Sequence, residues 1–180
     1  MRKVWDEEYT HVHRTDKPVF LHAARHLTLS DNSLLCQLQR PTRHFPSKLS
    51  HTQLLRLLIE PNHVFIIPAQ HDLHVLAGEF RLKPISKPRG WPDVITVFLR
   101  SLTEHWDGKL IAVIVSGYDG DGAAALRGIK EAGGTTIAQK LDTAAQPDMP
   151  ESAIASGYVD LVLSPENIAK AIVRLAHAVD

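Results

Sequence analysis

The sequence predicts an α/β fold: a doubly wound, mostly parallel sheet with helices on both faces and a small β-hairpin. Three observations predict it. Lys109 to Val115 holds a continuous apolar run of the kind buried on both faces of a parallel sheet. From there to the C-terminus, short apolar runs alternate with helical stretches that open or close on Gly, Pro or Ser. Upstream, Leu73–Leu76 and Glu79–Leu82 flank Ala77-Gly78, a hairpin pattern in which Gly supplies a positive φ. Strand and helix in series imply right-handed crossovers around one sheet. A chain of 180 residues with 44% hydrophobic residues buries a sizeable core, so disorder and fibrous repeats are excluded.

Taken in order, residues 1–16 are polar, show no sustained period, and are read as a poorly determined N-terminal segment; residues 17–180 form the domain. Pro18–Ala23 reads as a short buried strand. Ser30 or Asp31 then caps a helix whose Leu34, Leu35 and Leu38 share one face, and Pro41 ends it. Ser50–Ile59 is compatible with a second short helix, although so short an apolar run is ambiguous by period alone. His63–Ile67 is β-branched and aromatic, hence a strand stopped by Pro68. After the hairpin, Lys83–Pro92 is a Pro-rich basic linker, and Asp93–Leu102 is a helix with Ile95, Phe98, Leu99 and Leu102 in one stripe. The apolar strand ending at Val115 feeds a Gly-rich turn and a helix over Gly122–Ala132, closed by Gly133-Gly134. Thr135–Gln139 is the next strand. A short helix at Pro150–Ala155, a strand at Tyr158–Leu163, and a helix capped by Ser164 with Pro165 at its first position complete the chain.

Composition restricts function. Twenty basic residues balance 20 acidic ones, which leaves no excess positive charge for a polyanion and argues against nucleic acid as a partner. No apolar stretch approaches the ~20 residues of a spanning helix, so direct membrane insertion is not expected. Cys36 stands alone, which excludes an intrachain disulfide and makes a reducing cytoplasm the simplest home. Cys36 itself reads as a buried apolar residue of its helix.

The strongest local signal is Ser116-Gly117-Tyr118-Asp119-Gly120-Asp121-Gly122-Ala123, which joins the carboxyl end of the buried strand to a helix, the edge where ligands gather in open α/β sheets. Asp119 and Asp121 would put two carboxylates beside any phosphate with no Lys in the loop to offset them, so nucleotide binding here would need a metal. Asp119 reads as a turn cap without further function. Asp121 is balanced between such a cap and a carboxylate that orients an imidazole through Nδ1–H. His26, just past the first strand, lies at the same edge of the sheet. The pairs His11/His13, His22/His26 and His71/His74 lack a third ligand, so no zinc site and no cofactor are expected. A metal-dependent hydrolase using Asp119 and Asp121 is a remaining alternative.

Several segments in one order resemble the catalytic domain of CheB-type protein-glutamate methylesterases of bacterial chemotaxis. Glu60–Pro68 is similar to the family's EPxHVYIAP, Phe98–Leu102 to FRSLA, Ser116–Ala123 to TGMGxDGA, Gly122–Gln139 to DGAxGLxxIKxAGGxxIAQ, and Met149–Asp160 to MPxSAIxxGxVD. The resemblance implies hydrolysis of glutamyl methyl esters on a methylated chemoreceptor or similar helical protein by a Ser-His-Asp triad. Asp121 matches the triad Asp, and His26 matches the triad His through His26-Leu27 and Ser33–Leu35. Gly117, Tyr118, Gly120, Gly122, Met149 and Pro150 fall on the substrate and oxyanion loops. Tyr118 replaces a Met and Asp119 a Gly, without changing the loop's length.

The third triad member is missing. The family's serine sits in a G-x-S-x-G-G turn, on the order of 25 residues before the His at typical element lengths. No Gly in the 180 residues is followed two positions later by Ser, and Met1–Asp16 contains no Ser. Ser116, Ser30 and Ser33 are not credible substitutes. Residues 40–59 depart from the family pattern as well. The nucleophile-bearing first strand-helix unit and the regulatory receiver domain are not among these residues, so weak or absent esterase activity and an apolar, self-associating edge are expected. The alternative is a noncatalytic receptor- or partner-binding module.

Overall fold

The computed structural model describes residues 9–14, 19–24, 42–44, 56–59, 64–67, 70–87, 89–90, 92–106 and 110–177. In chain order the elements are β1 (Tyr9–Arg14), β2 (Val19–Ala24), β3 (Thr42–His44), β4 (Arg56–Leu58), β5 (Val64–Ile66), β6 (His71–Leu76), β7 (Glu79–Pro84), α1 (Val94–His105), β8 (Leu110–Ile114), α2 (Leu126–Glu131), β9 (Thr135–Gln139), α3 (Asp148–Ala155), β10 (Leu161–Leu163) and α4 (Pro165–His177). The main sheet has five strands in the order β1-β2-β8-β9-β10. β2, β8, β9 and β10 run parallel, and β1 lies antiparallel on the edge. β2 bonds directly to β8, pairing Val19 with Leu110 and Ala23 with Ile114.

The alternation of β8 shows why the sheet is wound on both sides. Leu110, Ala112 and Ile114 enter one core with Ile95, Phe98, Leu99 and Leu102 of α1 and with Leu126 and Ile129 of α2. Ile111, Val113 and Val115 enter a second core with Ile137 and with Ile168 and Ile172 of α4. A strand that buries side chains on both faces must be apolar throughout, as this one is.

The small antiparallel sheet β4-β7-β6 lies against α1 and extends the first core. Phe65 and Phe80 meet edge to face at 4.9 Å between centroids, and Phe80 lies 6.2 Å from Phe98, so an aromatic series links β5, β7 and α1. The buried Ser101 hydroxyl of α1 donates to the Val75 carbonyl at 3.2 Å and accepts the Val75 N–H. The hairpin turn holds Ala77 at φ 53° and Gly78 at φ 74°, both left-handed. α2 ends in a Schellman motif: Gly134 N–H donates to the Ile129 carbonyl at 2.8 Å and Gly133 N–H to Lys130 at 2.9 Å, with Gly133 at φ 77°.

Several elements differ from the sequence reading. No element is predicted before Pro18, yet β1 pairs with β2; an edge strand takes its order from its neighbour's backbone ladder, which side-chain periodicity does not report. Arg56–Leu58, read as helical, forms β4 on the edge of β7, because three residues beside an open strand gain more from pairing than from an isolated turn. The final strand is shorter than Tyr158–Leu163, since at Asp160 a side chain takes up the β9 donors: its carboxylate accepts Thr136 N–H at 2.9 Å and the Thr136 hydroxyl at 2.9 Å. The helix expected over Gly122–Ala132 opens with a single 3₁₀ turn at Ala123–Ala125. Residues 1–8, His26, the helix expected from Ser30 or Asp31 with Cys36, and Ser50–Leu55 lie outside the described residues. No helix among the described residues is long and apolar enough to cross a membrane.

Candidate active site at the carboxyl edge of the central strand

The chain leaves β8 through Val115 and Ser116 and makes a compact loop before α2. Ser116 is buried; its N–H donates to Gln139 Oε1 at 2.8 Å and its Oγ accepts Gln146 N–H at 2.9 Å. A hydroxyl so enclosed is a structural strut. Gln139, at the carboxyl end of β9, also donates through Nε2 to the Thr143 carbonyl at 2.9 Å, so one buried amide ties two successive loops together. Gly117 continues the stitching: its N–H donates to the Gln146 carbonyl at 3.0 Å and its carbonyl accepts Met149 N–H at 3.1 Å. A Cβ on Gly117 would lie 2.1 Å from Met149 Sδ, so any larger residue there must displace the Met149 side chain. Met149 is fully buried in the first core, and Pro150 is buried behind it in the first turn of α3, where a missing N–H leaves no bond unmade.

Tyr118, 40% exposed, and Gly120, also exposed, form the outer rim of the loop, and Gly120 lies against the Ser152 side chain of α3. Asp119 sits at φ 65°, a left-handed conformation that Asp tolerates better than most residues, and its Oδ1 accepts Asp121 N–H at 2.8 Å. That is the turn-forming role read from the sequence.

Asp121 is 6% exposed and caps a helix, though not the one that follows it. Its Oδ2 accepts Ile95 N–H at 2.9 Å and its Oδ1 accepts Thr96 N–H at 2.8 Å, the amides of the first turn of α1. Helix amino termini carry such unsatisfied donors and a partial positive charge, so the carboxylate suits them on both counts. Asp93, the residue ordinarily placed to cap, makes no side-chain cap bond and instead pairs with Lys87. Gly122, at φ 90°, donates its N–H to Thr96 Oγ1 at 2.8 Å; a Cβ there would meet Ile95 Cγ2 at 2.8 Å and Ile114 Cδ1 at 2.9 Å.

The structure thus brings Gly117, Gly120, Asp121 and Gly122 into one loop, with Met149 and Pro150 beneath it and Tyr118 on its rim; His26 lies outside the described residues. Thr96, Gln139 and Gln146 were not singled out in the sequence. Gln139 carried a legible signal, a polar residue ending an otherwise apolar strand. Thr96 carried only a weak one, a hydroxyl inside an apolar helical stripe.

Fold and loop together define an open α/β domain that presents a buried, hydrogen-bonded carboxylate at the carboxyl edge of its central parallel strand. The profile of the CheB methylesterase family matches residues 18–172, and the chain belongs to that family. The protein-glutamate methylesterase/protein-glutamine glutaminase of group 3 operon from Rhizobium meliloti is 35% identical over 126 residues, 66% of this chain and 34% of that protein. A Moorella thermoacetica protein-glutamate methylesterase/protein-glutamine glutaminase is 43% identical over 100 residues, 56% of this chain and 22% of its own length. The chain therefore spans 34% and 22% of the length of these two curated relatives. The crystal structure of the Thermotoga maritima CheB methylesterase catalytic domain superimposes with a TM-score of 0.59 at 30% identity, covering 68% of this chain and 66% of that one.

Proposed function

We propose that this chain carries the acid and base of a protein-glutamate methylesterase site, with Asp121 as the acid, His26 as the base, and the Gly117–Gly122 loop facing a glutamyl methyl ester on a helical receptor protein. The observation that supports this most is the Asp121 carboxylate, buried at the carboxyl edge of β8 and gripped by two amides of α1. A carboxylate so fixed accepts an imidazole Nδ1–H, holds the ring in one tautomer and leaves Nε2 to act on a proton. What the base acts on is an alcohol, and no G-x-S-x-G-G turn occurs in the 180 residues. Loss of the serine lowers kcat by roughly 10⁶ in triad hydrolases, leaving what binding and the oxyanion loop supply. The 180-residue chain on its own therefore binds the substrate protein and turns it over weakly or not at all.

The test is methanol release from a methylated receptor fragment, with retention of the fragment on immobilised chain measured in parallel. The expected result is retention with release at the buffer blank. Robust release by the purified chain overturns the reading, since an attacking group outside this scheme would have to exist. The absence of the serine turn also favours a second reading, a noncatalytic binding module. Equal retention by the parent and a His26→Ala variant, with no release by either, would select it.

A further inference from the structure

We propose that Thr96 is a positioning residue for the Asp121 carboxylate, an inference that rests on reading Asp121 as the acid of the site. Thr96 bonds to both sides of the Asp121–Gly122 peptide. Its N–H donates to Asp121 Oδ1 at 2.8 Å, and its Oγ1 accepts Gly122 N–H at 2.8 Å. Together with Ile95 N–H on Oδ2 at 2.9 Å, these bonds close a ring that runs from the carboxylate through the first turn of α1 and back to the backbone that bears the carboxylate.

The ring does what no single bond does. The two amides fix where the carboxylate oxygens lie, but the side chain springs from a loop whose next residue is a glycine at φ 90°. A peptide beside a glycine has a wide choice of orientations, and rotation of the Asp121–Gly122 unit would swing the carboxylate off its donors. Thr96 Oγ1 removes that freedom on the Gly122 side, as Asp119 Oδ1 removes it on the other by taking Asp121 N–H at 2.8 Å. Thr96 is 8% exposed, so water does not replace its hydroxyl readily. A β-branched side chain in a helix is also restricted in χ1, so the acceptor is presented with little entropy to lose. Val keeps the shape and loses the acceptor; Ser keeps the acceptor.

The experiment is amide hydrogen exchange by NMR on the labelled 180-residue chain, with the Asp121 13Cγ signal recorded alongside. Thr96→Val is expected to speed exchange at Gly122 roughly fivefold to tenfold relative to Val113 and Ile137 in the sheet, the scale of one lost buried hydrogen bond. It should also shift the Asp121 13Cγ signal, and Thr96→Ser should restore both. A merely structural role would speed Gly122, Val113 and Ile137 together. An unchanged ratio in Thr96→Val, or Thr96→Ser behaving like Thr96→Val, overturns the proposal. If Thr96→Val does not fold, Thr96→Ala is judged by the same ratio. The readout uses neither substrate nor His26, so its failure is distinguishable from failure of the methylesterase reading.

Discussion

Replacing Gly117 by Ala adds a single methyl where the structure has no room for one. The new Cβ would lie 2.1 Å from Met149 Sδ, 3.2 Å from its Cγ and 3.4 Å from its Cε. Carbon and sulfur atoms in good contact stand about 3.5–4.0 Å apart, so the overlap exceeds an ångström. Met149 has no route to solvent, being fully buried. Nor does the loop yield easily, because Gly117 N–H and carbonyl are both bonded, to Gln146 and Met149. Overpacking of this kind costs about 1–3 kcal/mol, offset by roughly 0.4–1 kcal/mol from the stiffer unfolded chain, for a net loss of about 1–2 kcal/mol. The check is equilibrium urea denaturation in a double-mutant cycle. Met149→Ala alone should cost about 2–5 kcal/mol, but it removes the clash, so Gly117→Ala in that background should be neutral or slightly stabilising. Equal costs of Gly117→Ala in the two backgrounds would refute the reasoning, since the methyl would then not be meeting Met149.

Two further outcomes follow from the same region and its neighbour. Asp121→Ala strips two buried amides of α1 of their acceptor and should cost about 2–3 kcal/mol in denaturation, above ordinary cap losses because both donors are left buried; a cost below about 0.5 kcal/mol would show that the carboxylate does not hold that helix. Burial by itself pushes the Asp160 carboxyl up, but the Lys130 ammonium and the Thr136 N–H and hydroxyl outweigh it and hold it below its usual range. A carboxyl held low in the folded state contributes stability that is present above its unfolded value of 3.8 and lost as pH falls through the folded one. The stability deficit of Asp160→Asn should therefore be largest near neutrality and shrink below pH 3.8; a deficit independent of pH would rule this out.

What the sequence made legible was whatever one local pattern determines. β8 was readable because burial on both faces demands an unbroken apolar run, and the β6–β7 hairpin because Ala77-Gly78 marks its turn. Ser164-Pro165 likewise announced α4: Asn167 and Ile168 donate to the Ser164 carbonyl at 3.0 and 2.9 Å. The site loop was legible as a loop with a carboxylate at its end, and Asp119's turn bond was foreseen. What stayed hidden is non-local. Asp121 caps a helix that begins more than two dozen positions earlier, an arrangement that only the packing of α1 across the sheet creates. β4 was hidden for a related reason, since its partner lies beyond β5 and β6 and three residues hold no period to read.

The two faces of β8 are sealed very differently. On one, α1, α2 and the aromatic hairpin are interleaved, so loosening any of them is resisted by the others. On the other, among the described residues, a single terminal helix supplies the lid over Ile111, Val113, Val115 and Ile137, through Ile168 and Ile172 on one of its sides. Loosening that helix would uncover its contacts with Ile111, Val113 and Val115 while leaving the hairpin side intact. Among the described residues, the second core is thus closed by α4, on the face of the sheet opposite the helix that anchors Asp121.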